Sequence, residues 1–374
     1  MTHDSERPTG GVSRRKFLVT SGAIGAAGLA GCTGGGSDDT PTAEPQNNGD
    51  GGSESTPRPE SESTPEPEQD KDLLTADGSS TVYPITNKAA SHWNYNPPAD
   101  DEEYWPHGEY DIDTKKNLAE YWAGKFDVES SGDSGPYRVS IGLSHSGVGC
   151  RKVMNGQVDI GDASAPVEAE LPDADHDKFK NHVVGIDGMQ VVVSKQIKDA
   201  GIDRITIEDL AKVYNGDISN WSDLGGPDSE IQCVGRVEGS GTRTIFHENV
   251  LDGKTKAPGV DVHKGENQQV ASTVRNSDNA IGYVGIAFVG DGAEAIALKV
   301  GDTVYSQENE NIANKEYPLN RDLHCYTYEG TDEYEAAFLN MIVSDFGQGL
   351  FVEPNGYITL NSKRQKEERD KLEQ

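Results

Sequence analysis

Three times in this chain a short apolar run gives way to glycine and small hydroxyl residues and then to a helix-like period. The first turn is Asp77-Gly78-Ser79-Ser80-Thr81-Val82-Tyr83-Pro84, after Leu73-Leu74-Thr75-Ala76. The second is Gly142-Leu143-Ser144-His145-Ser146-Gly147-Val148-Gly149, after the run Arg138 to Ile141. The third is Arg236-Val237-Glu238-Gly239-Ser240-Gly241-Thr242, after Ile231 to Gly235. Strands that feed helices through such turns stack as α/β layers. The turns also share a chemistry. Glycine lets backbone come close to a ligand. The first N–H groups of a helix have no internal partner, and Ser and Thr add donors, so each turn is an anion cradle. Arg236 brings a planar fork that suits a tetrahedral oxyanion. One Gly-Ser-Gly-Thr run alone is more often a helix cap than a ligand site. Three of them at the carboxyl ends of strands point to one shared cleft.

The rest of the globular part keeps the alternation. Val183 to Ile186 and Met189 to Val193 read as buried strands. Ile207 to Tyr214 reads as a short helix, with Glu208 and Asp209 in its first turn and Gly216 beyond its end. Gly241 to about Val250 reads as a helix, Ala280 to Val284 as a strand, and Asp332 to Phe346 as a long amphipathic helix ended by Gly347. The charged tail Ser362 to Gln374 reads as a solvated helix end. Between about residues 91 and 137 lies an insertion carrying Trp93, Tyr95, Tyr104, Trp105, Tyr110, Tyr121 and Trp122 among many acids. Its rings are expected to pack into the first lobe; a partner- or carbohydrate-binding surface is the alternative.

The N-terminus sets the compartment. Ser13-Arg14-Arg15-Lys16-Phe17-Leu18 and the apolar stretch to Gly31 form a twin-arginine export address. The stretch is too short for a spanning helix and fits a signal peptide over residues 1–31. Leu29-Ala30-Gly31-Cys32 reads as a lipobox, so Cys32 is the expected lipidation site and membrane anchor. Residues 32–72 contain no aromatic residue and no aliphatic one larger than Ala beyond Cys32, and read as a disordered acidic tether. The expected location is the outer face of the cytoplasmic membrane.

Charge and cysteines narrow the function. Loss of residues 1–31 removes Asp4 and Glu6 but also Arg7, Arg14, Arg15 and Lys16, taking the net charge from −31 to −33. Such a surface repels nucleic acid. Acids spread through the whole globular part match a high-salt habitat, where screening tolerates self-repulsion. Cys150, Cys233 and Cys325 are isolated and without metal-ligand spacing, so they read as small buried hydrophobes; at most one pair of them can form a disulfide. Neither a metal nor a cofactor is expected.

As an ordered set, several motifs resemble the phosphate-binding proteins of ABC importers. They are Gly78 to Ile85, Val158-Asp159-Ile160-Gly161-Asp162-Ala163-Ser164-Ala165-Pro166, Tyr214-Asn215-Gly216-Asp217-Ile218-Ser219-Asn220-Trp221-Ser222-Asp223-Leu224, Arg236 with Gly239 to Thr242, and Ala280 to Val284. The resemblance runs from about Leu73 to Leu360, the insertion excepted. It implies a periplasmic-binding-protein type II fold: α/β, two lobes, a two-strand hinge and a ligand cleft. On this reading lobe 1 is 73–188 and 285–374, and lobe 2 is 189–284. The implied function is capture of inorganic phosphate by an exported monomer and its delivery to ABC permease subunits. The implied phosphate contacts are Ser80, Thr81, Ser146 and Gly147 from the first lobe, and Arg236, Ser240, Gly241 and Thr242 from the second. Some members carry an aspartate in the first-lobe loop as acceptor for the phosphate proton. Here that position holds Ser164, with Asp162 two residues earlier, so either residue is a candidate for that place.

Two other classes stay open. Another oxyanion such as sulfate suits the same cradles, and a surface sensor or adhesion protein would use the aromatic insertion. An exported phosphatase is disfavoured. No metal cluster, Gly-x-Ser-x-Gly elbow or Gly-x-x-x-x-Gly-Lys-Ser/Thr loop is present in the sequence.

Overall fold

The computed structural model describes residues 71–130 and 135–373. Cys32 and residues 1–70 lie outside the described residues. The remaining chain builds two lobes around two sheets. In the first sheet β1 (Leu73–Gly78) lies between β2 (Arg138–Ile141) and β3 (Ile160–Ala163), all parallel. The long strands β4 (Phe179–Gly188) and β12 (Asn320–Tyr328) complete it, with β12 antiparallel to both β3 and β4. In the second sheet β5 (Gln190–Ser194) lies between β9 (Ala280–Val284) and β10 (Ala293–Val300), antiparallel to each. β7 (Gln232–Arg236) and β8 (Val262–Lys264) extend it on the β9 side. β6 (Arg204–Thr206) and β11 (Thr303–Tyr305) flank β10.

This topology decides where ligand-facing turns lie. β1, β2 and β3 run in one direction, so their carboxyl ends share an edge, and the turns after them gather there. β7 and β9 do the same in the second lobe. The chain crosses between lobes at Gly188 to Gln190 and again just before Asn320. The two crossings are tied by a hydrogen bond from Met189 N to Leu319 O, 2.9 Å. They form the hinge. The return to the first lobe comes later than the sequence boundary at residue 285. β10 and β11 stay in the second sheet, and only β12 goes back. Residues 285–319 carry no composition shift that marks this, since β10 alternates apolar and polar residues as any half-buried strand does.

The insertion folds into the first lobe. Trp93, Trp105 and Trp122 are buried in the same core as Phe338, Phe346 and Phe351. The Trp105 ring meets Phe346 edge-on at 4.9 Å. Tyr95 and Tyr104 pair on the outside, with 58% and 42% of their surfaces exposed. The expected helix to Phe346 breaks sooner. It runs Glu333–Val343, opened by an Asp332/Glu335 capping box, and Ser344 caps a separate short turn. The charged tail forms the helix Ser362–Leu372, which docks rather than standing in solvent. Glu368 is 4% exposed and accepts the Val183 N–H at 3.1 Å. Cys150, Cys233 and Cys325 are buried free thiols.

Candidate anion-binding cleft

The first turn follows β1 because Gly78 adopts φ +145° and packs against the backbone of Asp162, where a side chain has no room. Ser79, Ser80 and Thr81 come next, each at most 3% exposed. Tyr357 donates its hydroxyl to Thr81 O at 2.6 Å and holds this turn in place. The second turn is pinned from below by Asp77. Its carboxylate accepts from the Ser144 hydroxyl and from Lys152 Nζ at 2.8 Å. That pinning puts Ser146 and Gly147 at the start of the helix Ser146–Met154. Ser164 follows β3, and its N–H donates to Ser146 Oγ at 3.1 Å. Ser79 Oγ donates to Ser164 Oγ at 2.9 Å. The first lobe thus presents a compact set of hydroxyls.

The second lobe faces it with the third turn. Ser240 caps the helix Gly241–Val250, accepting the Arg243 N–H. Gly241 lies so close to the first lobe that a Cβ there would sit 2.5 Å from Ser146 Oγ and 2.8 Å from Ser164 Oγ. Thr242 Oγ1 is 3.3 Å from Thr81 Oγ1. Two further bonds join the lobes beside it. Gly147 N donates to Gly239 O at 3.2 Å, and Thr244 Oγ1 donates to Glu170 Oε1 at 2.7 Å. The structure therefore brings Ser80, Thr81, Ser146, Gly147, Ser164, Arg236, Ser240, Gly241 and Thr242 to one interlobe seam.

Arg236 supplies the charge. It is 2% exposed, and its guanidinium donates to the carbonyls of Lys264 and Gly265 and to Asn267 Oδ1. These partners are neutral. Burial pushes its pKa down to about 10, which leaves it a cation at neutral pH.

Asp162 is placed differently. Its carboxylate accepts from Thr86 Oγ1 at 2.9 Å and Cys325 Sγ at 3.2 Å. Burial raises its pKa to about 7, against the opposing pull of those two hydrogen bonds. Among the described residues, no hydrogen bond links a carboxylate to the side chains of Ser80, Thr81, Ser146, Ser164, Ser240 or Thr242. Of the two candidates for the first-lobe position, Ser164 is the one that meets the hydroxyl cluster with its side chain.

Three residues at the seam escape the sequence reading. Asn267 opens a helix in the second lobe and donates from Nδ2 to Ser80 Oγ and Thr81 Oγ1 at 3.0 and 2.9 Å. Arg321, on β12, is 5% exposed. It pairs with the third residue, Asp187 of β4, at 2.7 Å and reaches Thr81, Thr242 and the Ser164 carbonyl. In sequence, Arg321-Asp322 looks like an exposed strand edge. The one available signal was the run free of acids and fixed cations, Leu323 to Tyr328, which begins after Arg321-Asp322 and marks a buried strand.

Comparison with known proteins gives the following. The PBP superfamily domain profile matches residues 121–345. The phosphate-binding protein PstS of Bacillus subtilis (strain 168) is 30% identical over 226 residues, covering 60% of this chain and 72% of that protein. PstS of Staphylococcus saprophyticus is 27% identical over 265 residues, covering 67% and 80%. Among solved structures, a putative phosphate ABC transporter substrate-binding protein with bound phosphate from Clostridium perfringens aligns with a TM-score of 0.58 and 24% identity. That alignment covers 77% of this chain and 100% of that one, and it shows the shared fold.

Proposed function

Because this chain belongs to the PBP superfamily, among the phosphate-binding proteins of ABC importers, we propose that it captures inorganic phosphate outside the cell and passes it to a membrane permease. The observation that carries this reading is the buried Arg236 cation. Its protein partners are neutral, and hydroxyl turns from both lobes surround the same seam. A buried cation whose direct hydrogen-bond partners are all neutral, with only the Glu266 carboxylate beyond them to offset it, is costly. A phosphate bound between the turns supplies a close counter-charge. Ser80, Thr81, Ser146, Ser164, Ser240 and Thr242 hold its oxygens through their hydroxyls, and Gly147 and Gly241 let the backbone approach. Asp162 supports β3 against the first helix and does not touch the ligand.

Binding and closure are one event on this reading. Phosphate bonds to both lobes, so it stabilises the closed form over the open one by the free energy of the hydrogen bonds that opening would break. The closed lobes then offer the permease a surface that the open form lacks. On this reading the protein is a carrier, like its relatives named as phosphate-binding proteins, and capture and delivery require no covalent chemistry. Lipid on Cys32 and the tether keep the carrier near its permease and raise its effective concentration.

Isothermal titration of the purified protein with phosphate in molar KCl tests the reading. One-to-one binding, weakened at least about 10²-fold by Arg236→Ala, is expected, as for a lost charge-assisted pair. Folded protein that gives no phosphate binding would refute it.

A further inference from the structure

The hinge itself reaches into the anion site. β4 and β12 place Asp187 and Arg321 directly opposite each other in register. Asp187 is fully buried and its two oxygens are taken. Oδ2 accepts from Arg321 Nε and Nη2 at 3.0 and 2.7 Å, and Oδ1 accepts from Ile286 N at 2.9 Å. This pairing fixes the guanidinium at the seam. One Nη2 hydrogen goes to Asp187, and the other is shared between Thr81 Oγ1 at 3.1 Å and Thr242 Oγ1 at 3.2 Å, one from each lobe.

The consequence is a fixed polarity. Asn267 Oδ1 accepts from Arg236 Nη1 and Gly285 N, both obligate donors, so its amide must present Nδ2 to Thr81. Thr81 Oγ1 then accepts from both Asn267 and Arg321. A hydroxyl has two lone pairs and one hydrogen. With its lone pairs engaged, Thr81 is the donor in its 3.3 Å contact with Thr242 Oγ1; Thr242, accepting from Thr81 and Arg321, is left with its own hydrogen to offer the cleft.

We propose that Arg321, oriented by Asp187, is a specificity-determining residue of the phosphate site that turns Thr81 and Thr242 into donors and so selects the dianion HPO4(2−) over H2PO4(−). The proposal rests on the phosphate reading above. Each added ligand proton needs an acceptor that these donors do not supply and leaves one bare oxygen fewer to meet them, so H2PO4(−) is held less well than HPO4(2−). The hinge position adds a second effect. Arg321 bonds to both lobes from the strand about which they turn, so a dianion that draws both threonines in also draws the lobes together.

The test is phosphate titration calorimetry across the ligand's second ionisation. If only the dianion binds, apparent affinity of the natural protein rises about tenfold per pH unit below that ionisation and levels off above it. The variant is Arg321→Gln combined with Asp187→Asn, which removes both charges and avoids an orphaned buried carboxylate. It is expected to bind about 10- to 100-fold more weakly above the ionisation and to lose most of the slope. Asp162 and Glu170 also titrate near pH 7, each raised by burial, but both remain in the variant, so the difference in slope isolates the Arg321–Asp187 pair. If the double variant does not fold, Arg321→Lys serves. A single ammonium cannot hold Asp187 and both threonines, so a weaker affinity and a shallower slope are expected. A natural protein with no rise would overturn the proposal, as would a folded variant with unchanged affinity and slope. A natural protein that binds no phosphate at any pH takes down the parent reading first.

Discussion

Gly241→Ala separates closure from folding. Gly241 opens the helix Gly241–Val250 right after its Ser240 cap, a position where alanine suits the local backbone. Within its own lobe the new methyl costs little. Across the seam it would stand 2.5 Å from Ser146 Oγ, 2.8 Å from Ser164 Oγ and 3.0 Å from Ala165 N. A serine hydroxyl can rotate, but the Ala165 backbone cannot, so the lobes must part by several tenths of an ångström. The bonds that suffer are those joining the lobes beside Gly241: Thr81 with Thr242, Gly147 with Gly239, and Thr244 with Glu170. At about 1 kcal/mol each, their loss comes to about 3 kcal/mol, or about 10²-fold in affinity. The open form has no such clash, so the unliganded protein keeps its thermal midpoint. Calorimetric titration with phosphate reads the first effect, and a thermal melt without phosphate reads the second. Binding within threefold of the natural protein would refute the account of the seam, as would equal loss of stability in the absence of ligand.

Other predictions follow from neighbouring residues. Asp162 has a folded pKa of about 7 against an ordinary value of 3.8, so the folded state holds a proton that the unfolded state gives up first. Stability should therefore fall as pH rises from about 4 to 7, and Asp162→Asn should flatten that fall in melts run across the range. Phosphate binding should survive that substitution, because the carboxylate faces Thr86 and Cys325. Thr244→Val removes the hydroxyl that meets Glu170 across the seam. It should weaken phosphate binding by about 5- to 10-fold with little change in the unliganded melt. With a net charge of −31 over the whole sequence, the thermal midpoint should rise as KCl is raised towards the molar range, since added salt screens self-repulsion.

What the sequence made legible was local and periodic. The strand Ala280–Val284 and the helix Gly241–Val250 stand where the apolar run and the Ser240 cap place them. The three hydroxyl turns are readable because they recur at the carboxyl ends of three strands; each alone reads as a helix cap, which Ser240 also is. Long-range pairing was not readable. β10 belongs with β5 through a ladder more than 90 residues apart in sequence, and nothing in its own residues names that partner. Arg321 and Asp187 are each ordinary in sequence, and become a site feature only because the hinge strands pair them in register. Asp162 had the right residue type near the right place. β3 alternates its side chains between faces, and the two-residue step from Ser164 still leaves the Asp162 carboxylate under Thr86, because β3 ends at Ala163 and Ser164 already belongs to the turn. The tail helix shows the same limit: a sequence charged almost throughout hides one buried stripe, Gln365, Glu368 and Leu372.

The central claim is that one tetrahedral anion sits between the turns of the two lobes. Crystals grown with arsenate, an isosteric stand-in for phosphate, test it most directly through the anomalous signal of arsenic. The account predicts a single strong peak within hydrogen-bonding reach of Thr81, Ser164, Arg236 and Thr242. A peak elsewhere, for instance against the exposed Tyr95 and Tyr104 of the insertion, or a closed seam with no peak, would contradict it.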